Sequence, residues 1–392
     1  MPRSLVAMFA CASGLSVANV YYAQPLLDAM SAEFGISLAA VGAVITATQV
    51  GCALALLLLV PLGDRFDRRR LMLAQLAALL VALIGVGYAS SASGLLLGML
   101  ALGMLGTAMT QGLIAYAASA AADFERGRVV GAAQGGVVIG LLLARVLAGL
   151  IADRVGWRGV YFCSCLATLA LGAVLWRTLP AQRAPSPQLS YMGLIGSMFT
   201  LLRHQRALQI RGVIALLMFS AFSIFWSALV LPLSAPPYAF SHTMIGAFGL
   251  VGVVGALGAV RAGQWADRGR GQWTSGLALV LLLVCWLPLS LMDSSLWWLV
   301  IGIVVLDLAG QAIHVTNQSM IFSAQPAAHS RMVACYMLFY SIGSGLGAIA
   351  STATFAAYGW SGVCLLGAAV SGLALLFWAA TLACMPKTSA PA

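Results

Sequence analysis

A row of polar side chains interrupts the apolar segment near residues 295–320. Asp307, Gln311, His314 and Gln318 are spaced four, three and four residues apart, which places them on one face of a helix. Asp307 lies about twelve residues into this segment, or about 18 Å along a helix. That depth is close to the middle of a bilayer, where an ionised side chain costs at least ~2.5–3.5 kcal/mol and therefore indicates a functional role.

Asp307 and His314 have the chemistry of a proton-transfer pair. A carboxylate in an apolar bundle is costly to keep charged, and an imidazole titrates near neutral pH. We therefore predict that Asp307 titrates protons or binds a cation, with His314 as its relay partner. The alternative is a structural carboxylate that is permanently hydrogen-bonded to a neighbouring helix, with His314 in ordinary polar packing.

Arg145 is a second ionisable residue inside an apolar segment, and it lies eight residues before Asp153. Its long side chain could extend along the helix toward the membrane surface. It could also pair with Asp307, with Asp28 or with an anionic substrate. The sequence does not rank these alternatives.

The composition indicates that most of the chain is surrounded by lipid. Hydrophobic residues make up 62% of the 392 residues and charged residues only 8%, against about 25% charged residues in soluble domains. The net charge of +10 comes from short basic clusters between apolar segments, so we expect no nucleic-acid partner. The eight cysteines have neither disulfide-framework nor zinc-site spacing. We expect no catalytic residues, no metal site and no cofactor, since no HExxH, GxSxG, CxxC or nucleotide-loop pattern is present.

Apolar segments bounded by charged residues, Pro or Gly predict twelve membrane-spanning helices. They form two sets of six, with a proline-containing cytoplasmic linker at 181–206 between an N-terminal bundle (1–180) and a C-terminal bundle (207–392). The predicted helices cover residues 5–28, 38–62, 71–90, 94–118, 129–152, 159–179, 208–234, 242–264, 273–292, 295–320, 331–356 and 359–384.

The basic residues test this topology. With a cytoplasmic N-terminus, seventeen of the twenty Lys and Arg residues, Arg211 among them, belong to cytoplasmic segments. Only Arg154 and Arg158 belong to outer segments, and Arg145 falls within a helix. Because cytoplasmic loops carry an excess of basic residues, we predict that both termini face the cytoplasm.

An internal repeat relates the two halves at a constant offset of 203 residues. Asp64-Arg65 aligns with Asp267-Arg268, and Gly156-Trp157 aligns with Gly359-Trp360. Arg128 also aligns with Arg331, and Gly140 with Gly343. Six crossings per copy give both copies the same orientation in the membrane. Parallel repeats of this kind are a transporter design with the binding site between the halves.

One loop motif connects the chain to a known family. Residues 63–70 read GDRFDRRR between the second and third predicted helices, and 263–271 read GQWADRGRG at the equivalent loop. The pair resembles the loop signature of the major facilitator superfamily. The resemblance implies a charge latch that holds one conformation, and the alternative is a solvated basic loop. The latch candidates are Asp64, Arg65, Arg68, Arg69, Arg128, Asp267, Arg268 and Arg331.

The resemblance also implies a fold, a location and a set of binding residues. The fold is all-α, with alternating access around a cavity lined by helices one, four, seven and ten. NVYYAQPLL at 19–27 is similar to a bacterial branch of efflux carriers resembling drug/proton antiporters, so we expect a monomer in the bacterial inner membrane. Arg145 stands where such antiporters usually have proline, which weakens the likeness in mechanism. Substrate-binding candidates are Asn19, Tyr22, Gln24, Gln111, Arg145, Trp226, Gln311 and Gln318.

Three functions compete on these observations. The first is secondary active export of a small organic solute, in exchange for protons taken up at Asp307. The second is uptake or uniport of an anionic metabolite bound through Arg145. The third, an integral-membrane enzyme, has no supporting motif.

Overall fold

The computed structural model describes residues 2–122, 124–179, 190–265, 269–322 and 329–384. Within these ranges, the side chains of Asp64, 254–264, 322, 329, 330 and 384 are not described. The described residues form helices and short connections, with no β-strand among them. This confirms the all-α fold class.

The first half contains six α-helices, the last of them very long. A 3-10 turn at Gln24–Leu26 separates the first two, and π and 3-10 turns at Ala55–Leu59 and Val60–Asp64 extend the third. The helices are α1 (Arg3–Tyr21), α2 (Leu27–Phe34), α3 (Ala43–Leu54), α4 (Arg68–Gly87), α5 (Ala92–Ala120) and α6 (Arg126–Thr178).

The second half opens with a helix from the predicted linker and ends with another very long helix. A final 3-10 turn covers Leu382–Cys384. The helices are α7 (Tyr191–His204), α8 (Arg206–Ala228), α9 (Val230–Ser234), α10 (His242–Trp265), α11 (Gly271–Val284), α12 (Trp286–Ser290), α13 (Leu296–Phe322) and α14 (His329–Thr381).

Short polar residues cap the helices that follow tight connections in the first half. Asp67 precedes α4, and its carboxylate accepts a hydrogen bond from the backbone N–H of Arg70 at 2.9 Å. Ser91 precedes α5, and its hydroxyl accepts from the N–H of Gly94 at 3.1 Å. Each cap satisfies an N–H that has no partner inside the helix, which fixes where the helix begins.

Glycine divides both very long helices. α6 and α14 each have 53 residues, which would span about 80 Å as one straight helix. Gly156 in α6 has φ 78°, and Gly359 in α14 has φ 64°. These backbone angles suit a residue without a Cβ and interrupt the helix. Each long helix therefore comprises two apolar segments that meet at its glycine, as the sequence predicted.

The 203-residue repeat appears in the helix boundaries. α6 begins at Arg126 and ends at Thr178, while α14 begins at His329 and ends at Thr381. α1 and α8 begin at Arg3 and Arg206. The same offset therefore relates helix ends as well as sequence landmarks, and the two halves are copies of one helical plan.

The helices have the length and composition of membrane spans. Among the described residues, nine helical segments are long and apolar enough to cross a bilayer, and a shorter apolar segment covers His242–Val253. The two longest segments contain the glycine breaks. A count of twelve spans stays a prediction.

Close contacts group the chain into two compact units. Each unit contains most of one sequence half and one short segment from the other half. The predicted division at 181–206 stays a prediction; its residues 181–189 lie outside the described residues. Unit 1 contains Met1–Ser37, Ala43–Ile195 and Leu233–Ala247, and unit 2 contains Leu38–Gly42, Gly196–Pro232 and Phe248–Ala392.

Small residues let the helices within each unit approach closely. In unit 1, a Cβ on Gly14 of α1 would lie 2.8 Å from the carbonyl oxygen of Gly136 in α6. In unit 2, Gly343 of α14 packs against the backbone of Leu216 in α8. Backbone-to-backbone packing of this kind is the usual way in which helices associate in lipid.

Candidate functional site

Asp307 lies in the middle of α13 and is buried within unit 2, with 6% of its surface exposed. Its carboxylate faces Gly252 of α10, where an added Cβ would lie 2.5 Å from Oδ2. Only glycine at position 252 leaves room for the carboxylate in this position. The structure therefore places Asp307 near the middle of α13 and buries its carboxylate, while its role stays a prediction.

His314 belongs to a polar and aromatic cluster about two to three turns further along α13. Its Nδ1 lies 3.0 Å from the hydroxyl of Tyr336, and its Nε2 lies 3.3 Å from Nε2 of Gln318. The ring of Phe219 packs edge-on against the imidazole, with centroids 5.3 Å apart. The predicted face of α13 therefore brings His314 and Gln318 together, while Gln311 lies half-buried between them and Asp307.

Arg211 is a buried cation that the sequence analysis placed at a cytoplasmic helix end. It is fully buried within unit 2. Its guanidinium donates to the hydroxyl of Ser275 at 2.7 Å, to Oδ1 of Asn317 at 3.3 Å and to Oε1 of Gln272 at 2.7 Å. All three acceptors are neutral, and its Nε has no hydrogen-bond partner. The described residues thus hold a buried positive charge among neutral groups, which is costly unless an anion joins it.

Arg145 is buried in unit 1, with 2% of its surface exposed. Its Nε donates to Oε1 of Gln24 at 2.9 Å, and its guanidinium carbon lies 5.7 Å from the centroid of the Tyr21 ring. The side chain is therefore held inside the unit, which disfavours the alternative that it extends toward the membrane surface. The hydrogen bond to Gln24 brings together two of the predicted binding residues.

Other predicted binding residues lie in the cores of the two units. Asn19 is fully buried in unit 1, where its Oδ1 accepts from the hydroxyl of Ser164 at 2.7 Å. Tyr22 is buried beside it on the same chain segment, and Gln111 is half-buried in α5. In unit 2, the Trp226 ring packs against the rings of Phe222 and Phe225. A substrate-binding role for these residues stays a prediction.

A histidine that sequence reasoning passed over lies between two carboxylates in unit 1. His242 is the first residue of α10 and is 24% exposed. Its Nδ1 lies 3.1 Å from Oδ1 of Asp153, and its Nε2 lies 3.1 and 3.2 Å from the two oxygens of Asp28. Asp28, one of the partners considered for Arg145, therefore contacts His242. No spacing signal could have found this cluster, because Asp28 and Asp153 are 214 and 89 residues from His242.

Comparison with known proteins identifies the family. The model of the Major Facilitator Superfamily matches residues 9–323 and 212–392. The chain belongs to the major facilitator superfamily. It is 40% identical over 382 residues to the uncharacterized transporter YgaY of Escherichia coli O157:H7, covering 96% of this chain and 95% of the relative. The resemblance drawn from the loop motif is thereby confirmed.

Solved structures of major facilitator transporters share the fold at low sequence identity. A bacterial homologue of the human lysosomal transporter Spinster, inward-facing and occupied, has a TM-score of 0.76 and 14% identity, covering 97% of this chain and 96% of that chain. The POT family transporter PepTSo has a TM-score of 0.78 and 11% identity, covering 99% of both chains. These likenesses show the major facilitator fold, and membership of a transporter family confirms that the chain is not an enzyme.

The latch residues of the family motif lie on helix ends in unit 1. Arg68 donates from Nε to the carbonyl of Gly63 and from Nη1 to the carbonyl of Ala115, both at 3.1 Å. Arg69 donates to the carbonyl of Trp176 at 2.6 Å. The carbonyls of Ala115 and Trp176 lie in or near the last turns of α5 and α6, where arginine also complements the helix dipole.

The other latch candidates are local or outside the described part of the chain. Arg128 pairs with Glu125 at 3.0 Å, three residues away. Arg65 is exposed, and Arg331 is half-buried near the start of α14. Asp267, Arg268 and the side chain of Asp64 lie outside the described residues. A latch between the halves stays a prediction.

Within the described ranges, no cluster of three or more His, Cys, Asp or Glu side chains has the arrangement of a metal site. This applies to His242 and its two carboxylates as well. The groups available for chemistry are therefore the buried acid Asp307, the arginines Arg145 and Arg211, and the polar clusters around His314 and His242.

Proposed function

We propose that this major facilitator transporter exports a small organic solute by alternating access, in exchange for protons taken up at Asp307. The observation that carries the proposal is the burial of this carboxylate in the middle of a membrane helix, against a glycine that makes room for it. A carboxylate at that depth is retained against a cost of at least ~2.5–3.5 kcal/mol, which favours a functional role over a structural one.

His314 supports the same proposal as a proton relay. It shares the polar face of α13 with Asp307 and contacts Tyr336 and Gln318, both of which can exchange hydrogen bonds with an imidazole. The proposed substrate-binding residues are those with amide and aromatic side chains, which suit a small organic ligand: Asn19, Tyr22, Gln24, Gln111, Trp226, Gln311 and Gln318. The direction of transport and the proton coupling both belong to the proposal.

The proposed setting is a bacterial inner membrane, with both termini in the cytoplasm and the protein working as a monomer. The excess of basic residues in alternate connections supports this orientation. Arg68 and Arg69 would belong to the cytoplasmic latch, where Asp64 and the arginines of the second half complete it.

The test uses everted membrane vesicles that hold a proton gradient, with tetraphenylphosphonium and ethidium as solute probes. For the wild type, we expect addition of a transported cation to dissipate part of the gradient, reported by an acridine dye. Asp307→Asn should abolish this response, while the exposed carboxylate variant Asp293→Asn should keep it. A full response from Asp307→Asn would exclude Asp307 as the coupling group.

A second candidate is transport of an anionic metabolite, which two buried arginines favour. Both side chains are buried, and Arg211 donates to three neutral acceptors. A thermal-shift panel of organic anions distinguishes the candidates. Stabilisation by an anion that disappears in Arg145→Leu or Arg211→Gln, with no stabilisation by lipophilic cations, would replace the antiport proposal with an anion carrier.

A further inference from the structure

Both ring nitrogens of His242 face carboxylate oxygens, and this arrangement limits where protons can be. Nδ1 faces Asp153, and Nε2 faces both oxygens of Asp28, at 3.1 to 3.2 Å. A neutral imidazole has one N–H and one lone pair, whereas an ionised carboxylate has only lone pairs. Both contacts are therefore hydrogen bonds only when the three groups hold one proton more than a neutral imidazole with two ionised carboxylates.

We propose that Asp28, His242 and Asp153 form a proton-binding site, in which the imidazolium of His242 donates to both carboxylates. Its ligand is the proton, and the site goes beyond the proposed function because it does not depend on Asp307. Loss of the proton turns one of the two N–H···O contacts into two lone pairs facing each other. The attachment of the start of α10 to α2 and α6 then weakens.

The surroundings of the carboxylates favour a proton on the imidazole over a proton on either acid. Asp153 also accepts from the backbone N–H of His242 at 3.0 Å and from that of Thr243 at 2.8 Å, which stabilises its ionised form. Asp28 lies in the first turn of α2, where the helix dipole favours a negative charge. The dipole of α10 disfavours a cation at His242, but the two adjacent carboxylates favour the cation more strongly.

The neighbouring charged groups have other partners or face solvent. On α2, Glu33 is held by Arg158 and by the indole N–H of Trp157. On α6, Arg145 donates to Gln24 as described above, and Arg154 is exposed. Leu233–Ala247 contains one other titratable side chain, that of Tyr238, whose ring packs against Phe240. Asp28 and Asp153 are thus the charged groups that face His242.

The repeat shows that the fold itself does not require this cluster. At the 203-residue offset, Asp28 corresponds to Leu231, His242 to Ala39 and Asp153 to Ala356. All three equivalents are apolar, although the helices around them follow the same plan. A titratable cluster at one of two equivalent places indicates a specific role.

The direct test is a histidine titration of the full-length protein in detergent, by NMR of histidine labelled with ¹³C in the ring. His242→Gln assigns the signal. We expect Asp28→Asn and Asp153→Asn each to lower the titration midpoint of His242 by about one pH unit, a tenfold loss of proton affinity. The exposed His204 in α7 is the internal control and should not move. An unchanged midpoint of His242 in both variants would overturn the proposal.

A second measurement keeps the test decisive if an aspartate variant folds poorly. The melting temperatures of wild type, His242→Gln and His204→Gln are compared between about pH 5 and about pH 9, the range that spans histidine titration. The bound proton stabilises the folded protein, so the wild type should exceed His242→Gln at low pH and lose that advantage as the pH rises. A difference that is constant with pH would overturn the proposal. No substrate or gradient is used, so the outcome is independent of transport by Asp307.

Discussion

Two helix starts at nearly equivalent positions of the repeat pack against a long helix of the same unit, but different side chains accept their backbone hydrogen bonds. In unit 2, the residues before α3 pack against α14, where Gly42 lies beside the carbonyl of Ala348. In unit 1, the start of α10 packs against α6, where Gly246 lies beside the carbonyl of Arg145. Ala348 and Arg145 are 203 residues apart and Gly42 and Gly246 are 204 apart, so the two packing sites lie at nearly equivalent positions of the repeat.

The difference lies in the side chain that accepts hydrogen bonds from the backbone N–H groups at each helix start. The N–H of Gly42 donates to the hydroxyl of Thr352 at 3.1 Å. The N–H groups of His242 and Thr243 donate to the carboxylate of Asp153 at 3.0 and 2.8 Å. A neighbouring helix supplies the cap in both cases, but it is neutral in one and charged in the other.

One copy of a repeat can therefore acquire pH sensitivity without a change of fold. A hydroxyl cap satisfies the backbone at any physiological pH. A carboxylate cap does the same and also attracts a cation, and His242 and Asp28 complete that arrangement in unit 1. Three side-chain differences thus distinguish the neutral contact at the start of α3 from the titratable contact at the start of α10.

The largest expected effect comes from removing the charged cap. Asp153→Ala leaves two N–H groups of α10 without their acceptor and removes one partner of His242. Hydrogen bonds to charged groups contribute about 1.5–3 kcal/mol each, so we expect the free energy of unfolding to fall by about 3 kcal/mol. An SDS titration in mixed micelles measures it, with Asp293→Ala as the exposed control. If both variants lose the same amount, the carboxylate is not a cap.

A middle-sized effect is expected where α6 meets the start of α10. A Cβ on Gly149 would collide with the backbone of His242 and Thr243, while one on Gly135 of the same helix meets open space. Gly149→Ala should therefore cost about 1–3 kcal/mol. Gly135→Ala should stabilise α6 by about 0.5–1 kcal/mol. The same mixed-micelle titration applies, and equal behaviour of the two variants would contradict the packing.

The smallest effect is expected at the neutral cap. Thr352→Val keeps the shape of the side chain and removes the acceptor for Gly42, so we expect a loss of about 1 kcal/mol. The loss should be the same between about pH 5 and about pH 9, because no titratable group takes part. Thr381→Val, which removes only a hydroxyl bonded within its own helix, is the matched control. If the stability lost in Thr352→Val depended on pH, the neutral cap at α3 and the charged cap at α10 would not differ as proposed.

Several features of the fold follow from the sequence because they depend on local composition and periodicity. Lipid tolerates long apolar helices, so span positions can be read from apolar segments. The 203-residue offset predicted a duplicated helical unit, and the boundaries of α6 and α14 differ by that same offset. The depth of Asp307 follows from counting residues along one helix. The major facilitator fold was predicted from the resemblance of the loop motif at 63–70 to the family signature.

Arg211 and His242 show where such reasoning ends. Arg211 follows Arg206, Arg203 and a proline-containing linker, so its sequence context is that of the cytoplasmic end of the predicted helix 208–234. Gln272, Ser275 and Asn317, which surround it, come from α11 and α13. His242 resembles any polar residue at the start of a helix until Asp28 and Asp153 are brought beside it.

The sequence by itself determined that this chain is a membrane protein with a duplicated set of helices, because hydrophobicity and the repeat offset can be read along the chain. It also determined the depth of Asp307, which is a distance along a single helix. Only the tertiary structure decided which polar groups meet, because packing joins segments up to 214 residues apart. These contacts decide whether a cation is solvated, buried among neutral acceptors or paired with carboxylates. The chemistry of Arg211, Arg145 and His242 therefore depends on the tertiary structure.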